Sequence, residues 1–207
     1  MSRGGSILVS AEAFKIPELH DATFLESIPR KAPPPEEPSP SKIDYGELKR
    51  KILQISGLEP QPRGYAFEKV LTALFLSCGL APRGGFRNCG EQIDGSFELN
   101  GHQYLLEAKW KQSQTGQAEL LAFQGKVEGK ADWTRGLFVS YSGFTPDGLI
   151  AFSKGRPTRI ICVDGLDLWQ AIEHQLNFSE VLSRKTRRAS ESNEAFVSVR
   201  DLFPEVQ

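Results

Sequence analysis

The 207-residue sequence holds only three cysteines, Cys78, Cys89 and Cys162. They are scattered and odd in number, so neither a disulfide framework nor a zinc site with paired ligands is encoded. Cys78 and Cys162 sit in apolar runs and read as core residues. Histidine is equally scarce: the three histidines lie far apart and show no metal or triad spacing. No apolar run approaches the length of a membrane span, and no signal-peptide pattern opens the chain. A cytoplasmic protein without a membrane partner is therefore expected. Net charge is −1 and the pI is near 6.3, which excludes a uniformly basic nucleic-acid coat but leaves room for a local basic groove. There is no P-loop, no dinucleotide glycine fingerprint, no helix-turn-helix pair and no internal repeat. Gly84 and Gly85 precede a hairpin, not a helix.

What is present suits one domain of ordinary size with tails, since 39% of residues are hydrophobic and 25% charged. Residues 1–42 differ in composition from the rest. Residues 6–10 could form a short strand. Residues 31–42 carry Pro33, Pro34, Pro35, Pro38 and Pro40 and read as a semi-extended linker. The segment is either a flexible tail or a docking peptide for a protein partner, with Phe14, Ile16, Leu19, Phe24 and Leu25 as anchors. Residues 43–176 form the expected domain. Residues 177–207 drift polar, with a basic cluster at 184–188, and read as a flexible C-terminal tail. Within that tail, residues 196–199 and 202–203 could dock as one last short element.

Inside the domain, Leu48, Ile52 and Ile55 make one stripe of a short helix over 43–57, stopped by Gly57. Phe67, Val70, Leu71, Leu74, Phe75 and Cys78 repeat at three and four, so residues 64–79 form a helix ended by Gly79. Glu68 borders its apolar stripe. Residues 80–90 look like a turn-rich approach carrying Arg83 and Arg87. Further on come a helix over 117–130, a buried strand over 136–141, a helix from Pro146 to about Phe152, a strand over 159–163 and a helix from Asp164–Gly165 onward. The order is helix, three strands, helix, strand, helix, strand, helix. Strands alternating with helices imply parallel crossovers and a mixed sheet covered on two faces, an α/β fold.

The chain is organised around residues 91–110. Asn100–Gly101 is a strong two-residue hairpin signal, because a type I′ turn needs positive φ at both central positions. Leu99 then faces His102, Asp94 faces Glu107, and Gln92 faces Lys109. Side chains alternate between faces. Ile93, Phe97, Leu99, Tyr104, Leu106, Ala108 and Trp110 share a core face. Asp94, Glu107 and Lys109 share the other, with Leu105 as its apolar member. Opposed carboxylates repel unless a cation intervenes. Lys109 can do part of this, and oxygen-only ligands suit a hard divalent cation such as Mg²⁺.

The pattern Asp94…Glu107–Ala108–Lys109 resembles the PD-(D/E)XK nuclease signature. With residues 64–68 upstream and 135–140, 142–145 and 160–165 downstream, the stretch 63–176 is similar to the Mrr-like catalytic domain of restriction-endonuclease-like proteins. The resemblance implies a Mg²⁺-dependent DNA endonuclease, with Mn²⁺ as a substitute, in restriction or antiphage defence. It implies that Asp94, Glu107 and the Ala108 carbonyl hold the metal, that Lys109 orients or activates the attacking water, and that Glu68 supports the site. Arg83, Arg87, Lys111, Gln124 and Lys126 are candidate nucleic-acid contacts, and Gln124 and Lys126 could instead reach the site itself. No reader of base sequence is evident, so specificity would come from loops, a partner or another subunit, a homodimer included. The alternatives are a non-cleaving nucleic-acid-binding module and an interaction subunit of a larger complex.

Overall fold

The computed structural model describes residues 21–27, 44–88 and 91–204. The strand expected at 6–10, the proline-rich linker and the anchors Phe14, Ile16 and Leu19 lie outside the described residues. The chain divides into two compact units, residues 1–39 and residues 40–207. The described part of the first is helix α1 (Ala22–Ser27), opened by Asp21, whose Oδ1 accepts the Thr23 N–H at 2.9 Å.

The second unit begins with α2 (Tyr45–Ser56), capped by the Asp44 side chain on the Glu47 N–H and buried through Leu48, Ile52 and Ile55. Helix α3 (Pro60–Ser77) starts earlier than residue 64, because Pro60 takes the first helical position, where no N–H is needed. Gly79, at φ +72°, ends it as expected. The strands are β1 (Arg83–Asn88), β2 (Glu91–Leu99), β3 (His102–Lys109), β4 (Arg135–Ser140) and β5 (Ile160–Asp164). Helices α4 (Gln117–Glu128), α5 (Pro146–Ser153) and α6 (Gly165–Glu173) connect and follow the later strands. The sheet order is β1-β2-β3-β4-β5, antiparallel across the first three strands and parallel across the last three.

β1 occupies the stretch that composition marks as turn-rich. Gly85 is there for close approach: a Cβ on it would meet the Ile93 carbonyl oxygen at 3.0 Å. The β2–β3 turn is as expected, with Asn100 at φ +52° and Gly101 at φ +76°, and Leu99 pairs with His102.

Each sheet face carries its own buried cluster. One gathers Phe67, Leu71 and Phe75 of α3 with Phe97, Tyr104 and Leu106. The other gathers Leu120, Phe123 and Val127 of α4 with Leu105, Phe138 and Cys162. Cys162 is fully buried, and burial pushes its thiol up to about 12, so it is an inert core residue.

The expectation of a flexible C-terminal tail is corrected. Residues 178–192 form helix α7 (Phe178–Ser192), followed by α8 (Val199–Leu202). Phe178, Val181, Leu182, Val199 and Phe203 are buried in the α3-side cluster. Lys185, inside the basic run, is only 2% exposed; its ammonium meets Asp167 of α6 at 2.6 Å and the Val197 carbonyl at 2.5 Å. Asp167 accepts the Val199 N–H with its other oxygen. A buried charge is tolerated only when paired and hydrogen-bonded, and this pair is both. The composition of residues 177–207 is polar because one face of α7 is solvated, while its other face completes the core.

Candidate active site

The site forms where β2 and β3 part. Their ladder follows the expected register from Leu99↔His102 to Gly95↔Leu106 and ends there. Beyond it β2 stays paired with β1 alone, through Phe86↔Ile93, Arg87↔Gln92 and Asn88↔Glu91. This divergence corrects one face assignment. Ile93 is buried, but with Leu105, Leu120 and Phe123 rather than with Phe97 and Leu99, because the freed end of β2 no longer follows the plane it shares with β3.

Asp94 stands at the parting point. Its Oδ2 accepts the Ala108 N–H at 3.0 Å, taking the place of a ladder bond. In an extended strand the N–H and C=O of one residue point to the same edge. The Ala108 carbonyl therefore faces the gap too. The Lys109 carbonyl points the other way and accepts the Tyr141 N–H at 2.8 Å.

Glu107 is 6% exposed, and each of its oxygens meets an ammonium. Oε1 pairs with Lys109 at 2.8 Å and Oε2 with Lys126 at 2.7 Å. Lys126 reaches in from α4 and also donates to the Gln92 carbonyl at 3.0 Å, an acceptor beyond the end of the β2–β3 ladder. Farther along, Lys130 pairs with Glu91 at 2.7 Å. Glu68 approaches from α3. Burial raises its pKa, and so does the charge of Asp94, with a smaller contribution from Glu107. Burial also raises Asp94, against the pull of the Ala108 hydrogen bond. Burial pulls Lys109 down, but its hydrogen bond and charge attraction to Glu107 more than offset this, and its net shift is upward.

An aromatic group braces these residues from the α3 side. Trp110 stacks on Tyr141 at 3.6 Å, and Phe67 meets Trp110 edge-on at 5.2 Å. Phe67 precedes Glu68 and Trp110 follows Lys109, so the packing fixes the backbone beneath both site residues.

The other expected contacts are spread out. Arg83 and Arg87 are exposed on β1, the outer strand. Lys111 binds both oxygens of Glu119, at 2.7 and 2.6 Å, tying its loop to the first turn of α4. Gln124 is buried, 3% exposed; it donates to Glu128, and its Oε1 has no hydrogen-bond partner among the described residues. Of the five, Lys126 alone touches Glu107. Sequence reasoning offered Lys126 as a residue that could reach the site, but not Glu107 as its partner, and it missed the aromatic brace. The only available signal was a lysine on the helix that follows the Glu107 strand.

Asp94, Glu107 and the Ala108 carbonyl supply oxygen donors only, the chemistry that a hard cation such as Mg²⁺ requires. Among the described residues no three His, Cys, Asp or Glu side chains form a ready metal cluster. Two carboxylates and one carbonyl still fit an ion that keeps several of its waters.

Five strands in this order with helices on both faces make a restriction-endonuclease-like α/β domain. The chain belongs to the Mrr_cat restriction endonuclease family, which it matches over residues 61–172. No curated protein matches it significantly. Among solved structures it is similar to protein VC1899 from Vibrio cholerae, at 13% identity and a TM-score of 0.45, over 57% of this chain and 34% of that one. It is also similar to the MspJI restriction endonuclease in complex with a 27-mer oligonucleotide, at 16% identity and a TM-score of 0.39, over 74% of this chain and 36% of that one. The chain thus spans about a third of the length of each solved chain. No helix among the described residues is long and apolar enough to cross a membrane.

Proposed function

We propose that this protein is a Mg²⁺-dependent endonuclease that hydrolyses DNA phosphodiester bonds, with Mn²⁺ able to substitute. One observation carries the proposal: Asp94, Glu107 and Lys109 meet around the Ala108 backbone where β2 and β3 part. A metal bound there would neutralise charge at phosphorus and lower the pKa of its water. Asp94, Glu107 and the Ala108 carbonyl would hold it.

Lys109 is held protonated by Glu107, so its role is to donate to a phosphate oxygen or to hold the attacking water, rather than to take a proton. Glu68, at the rim and with a raised pKa, supports that water as an acceptor. Arg83 and Arg87 on the exposed outer strand suit phosphate contacts that position a duplex without reading it. Family membership and the site chemistry support a role in restriction or antiphage defence. Free Cys78 and Cys162 suit the reducing cytoplasm. A protein partner through residues 1–42 and a second copy of the chain are the sources proposed for specificity.

The test is nicking of supercoiled plasmid DNA. The wild type should nick it with Mg²⁺ or Mn²⁺ and not with EDTA, and Asp94→Asn should not. Duplex binding without nicking at any metal concentration would replace the nuclease with the non-cleaving binding module.

A further inference from the structure

Glu107 is neutralised twice. Lys109 is the expected partner on its own strand. Lys126 is not: it comes from another element, its side chain is 23% exposed, and it holds Oε2 at 2.7 Å. A carboxylate oxygen that coordinates Mg²⁺ carries a divalent charge at about 2.1 Å. An ammonium on the same oxygen would then face that divalent charge across one atom, at strong electrostatic cost.

We infer that Lys126 is the resident counter-cation of Glu107: it occupies the carboxylate in the metal-free protein, leaves it when a divalent ion binds, and is then free for a phosphate oxygen of the substrate. This rests on the assignment of Asp94 and Glu107 as metal ligands. Three features of the structure support it. The contact is made by a flexible four-carbon stem, which can swing without moving α4. The other acceptor of Lys126, the Gln92 carbonyl, belongs to an exposed residue and can be hydrated on release. The clamp that ties this end of β2 to the α4 side has a separate member, Lys130 on Glu91 at 2.7 Å, so holding β2 does not require Lys126. The free protein would then bind metal weakly, and DNA would strengthen metal binding by giving the displaced ammonium a partner.

The experiment titrates full-length protein with Mn²⁺ in the absence of DNA, reading free Mn²⁺ by electron paramagnetic resonance. Wild type, Lys126→Met, Lys130→Met and Asp94→Asn are compared, with thermal melts confirming that each is folded. Lys126→Met should bind Mn²⁺ more tightly by about tenfold or more. Lys130→Met should match the wild type, and Asp94→Asn should lose binding. Folded Lys126→Met with unchanged or weaker affinity, while Asp94→Asn still loses binding, overturns the role of Lys126 and leaves the metal site standing. Absence of binding in both wild type and Lys126→Met overturns the metal site as well. A second measurement needs no variant: the Lys126 Nζ resonance in ¹⁵N-lysine-labelled wild type should lose its ion-pair shift when Mg²⁺ is added, and an unmoved resonance also overturns the inference.

Discussion

Asp94 reaches across the parting of β2 and β3 and accepts the Ala108 N–H at 3.0 Å. The bond does two things at once. It satisfies an amide that the broken ladder leaves without a strand partner, and it holds one carboxylate oxygen beside the backbone of the Glu107–Ala108–Lys109 run. Asp94→Asn can keep the bond through its amide oxygen while removing the charge. It should stay folded and lose the rise in melting temperature that Mg²⁺ or Mn²⁺ gives the wild type by mass action. Differential scanning calorimetry with and without metal checks this; an increment unchanged in Asp94→Asn would place the metal elsewhere.

The pH dependence of the metal-free protein follows from the same group. Asp94 and Glu68 have raised folded pKa values, so the folded state holds their protons more tightly than the unfolded chain does. The stability this contributes is present below the ordinary carboxylate value of about 4 and is lost as pH rises through the raised folded values. Urea midpoints in EDTA should fall over that window. Asp94→Asn should show a shallower fall and exceed the wild type at neutral pH, and parallel profiles for the two proteins would contradict the shift at Asp94.

Lys109→Ala should lower specific cleavage by several orders of magnitude while duplex binding in Ca²⁺ falls much less, because binding draws on many phosphate contacts. Lys109→Arg should not rescue, since a planar fork replaces a compact point charge. Near wild-type cleavage per folded molecule in Lys109→Ala would reduce Lys109 to a partner of Glu107.

Lys185→Ala leaves the buried carboxylate of Asp167 without its cation. Breaking such a pair costs about 3–5 kcal/mol, and urea denaturation should report a loss of that size. Deleting residues 178–207 should abolish cooperative unfolding outright. A truncated protein that still melts cooperatively near the wild-type temperature would show that α7 is dispensable.

The elements legible in sequence are those whose information is local. Asn100–Gly101 imposes the hairpin, because few other residue pairs accept two left-handed φ values. With the turn placed, strand alternation puts Glu107 and Lys109 on one face by counting alone. Helices α2 and α3 follow from apolar spacing and their glycine stops. Three features are invisible to counting, since each depends on what lies opposite in space. Residues 178–192 look like a solvated tail because one face is densely charged, and only packing on the sheet shows that the other face, Lys185 included, is core. Ile93 obeys the strand period, but divergence of β2 from β3 decides which cluster receives it. Lys126 lies 19 residues from Glu107 in the chain, and the crossover of α4 over the sheet brings the two charges to 2.7 Å. The pattern of residues thus determined the β2–β3 hairpin, its register as far as Gly95 and Leu106, and the acidic pair. Tertiary structure decided which cations stand against that pair, because a charge contact depends on distance in space and not on separation along the chain.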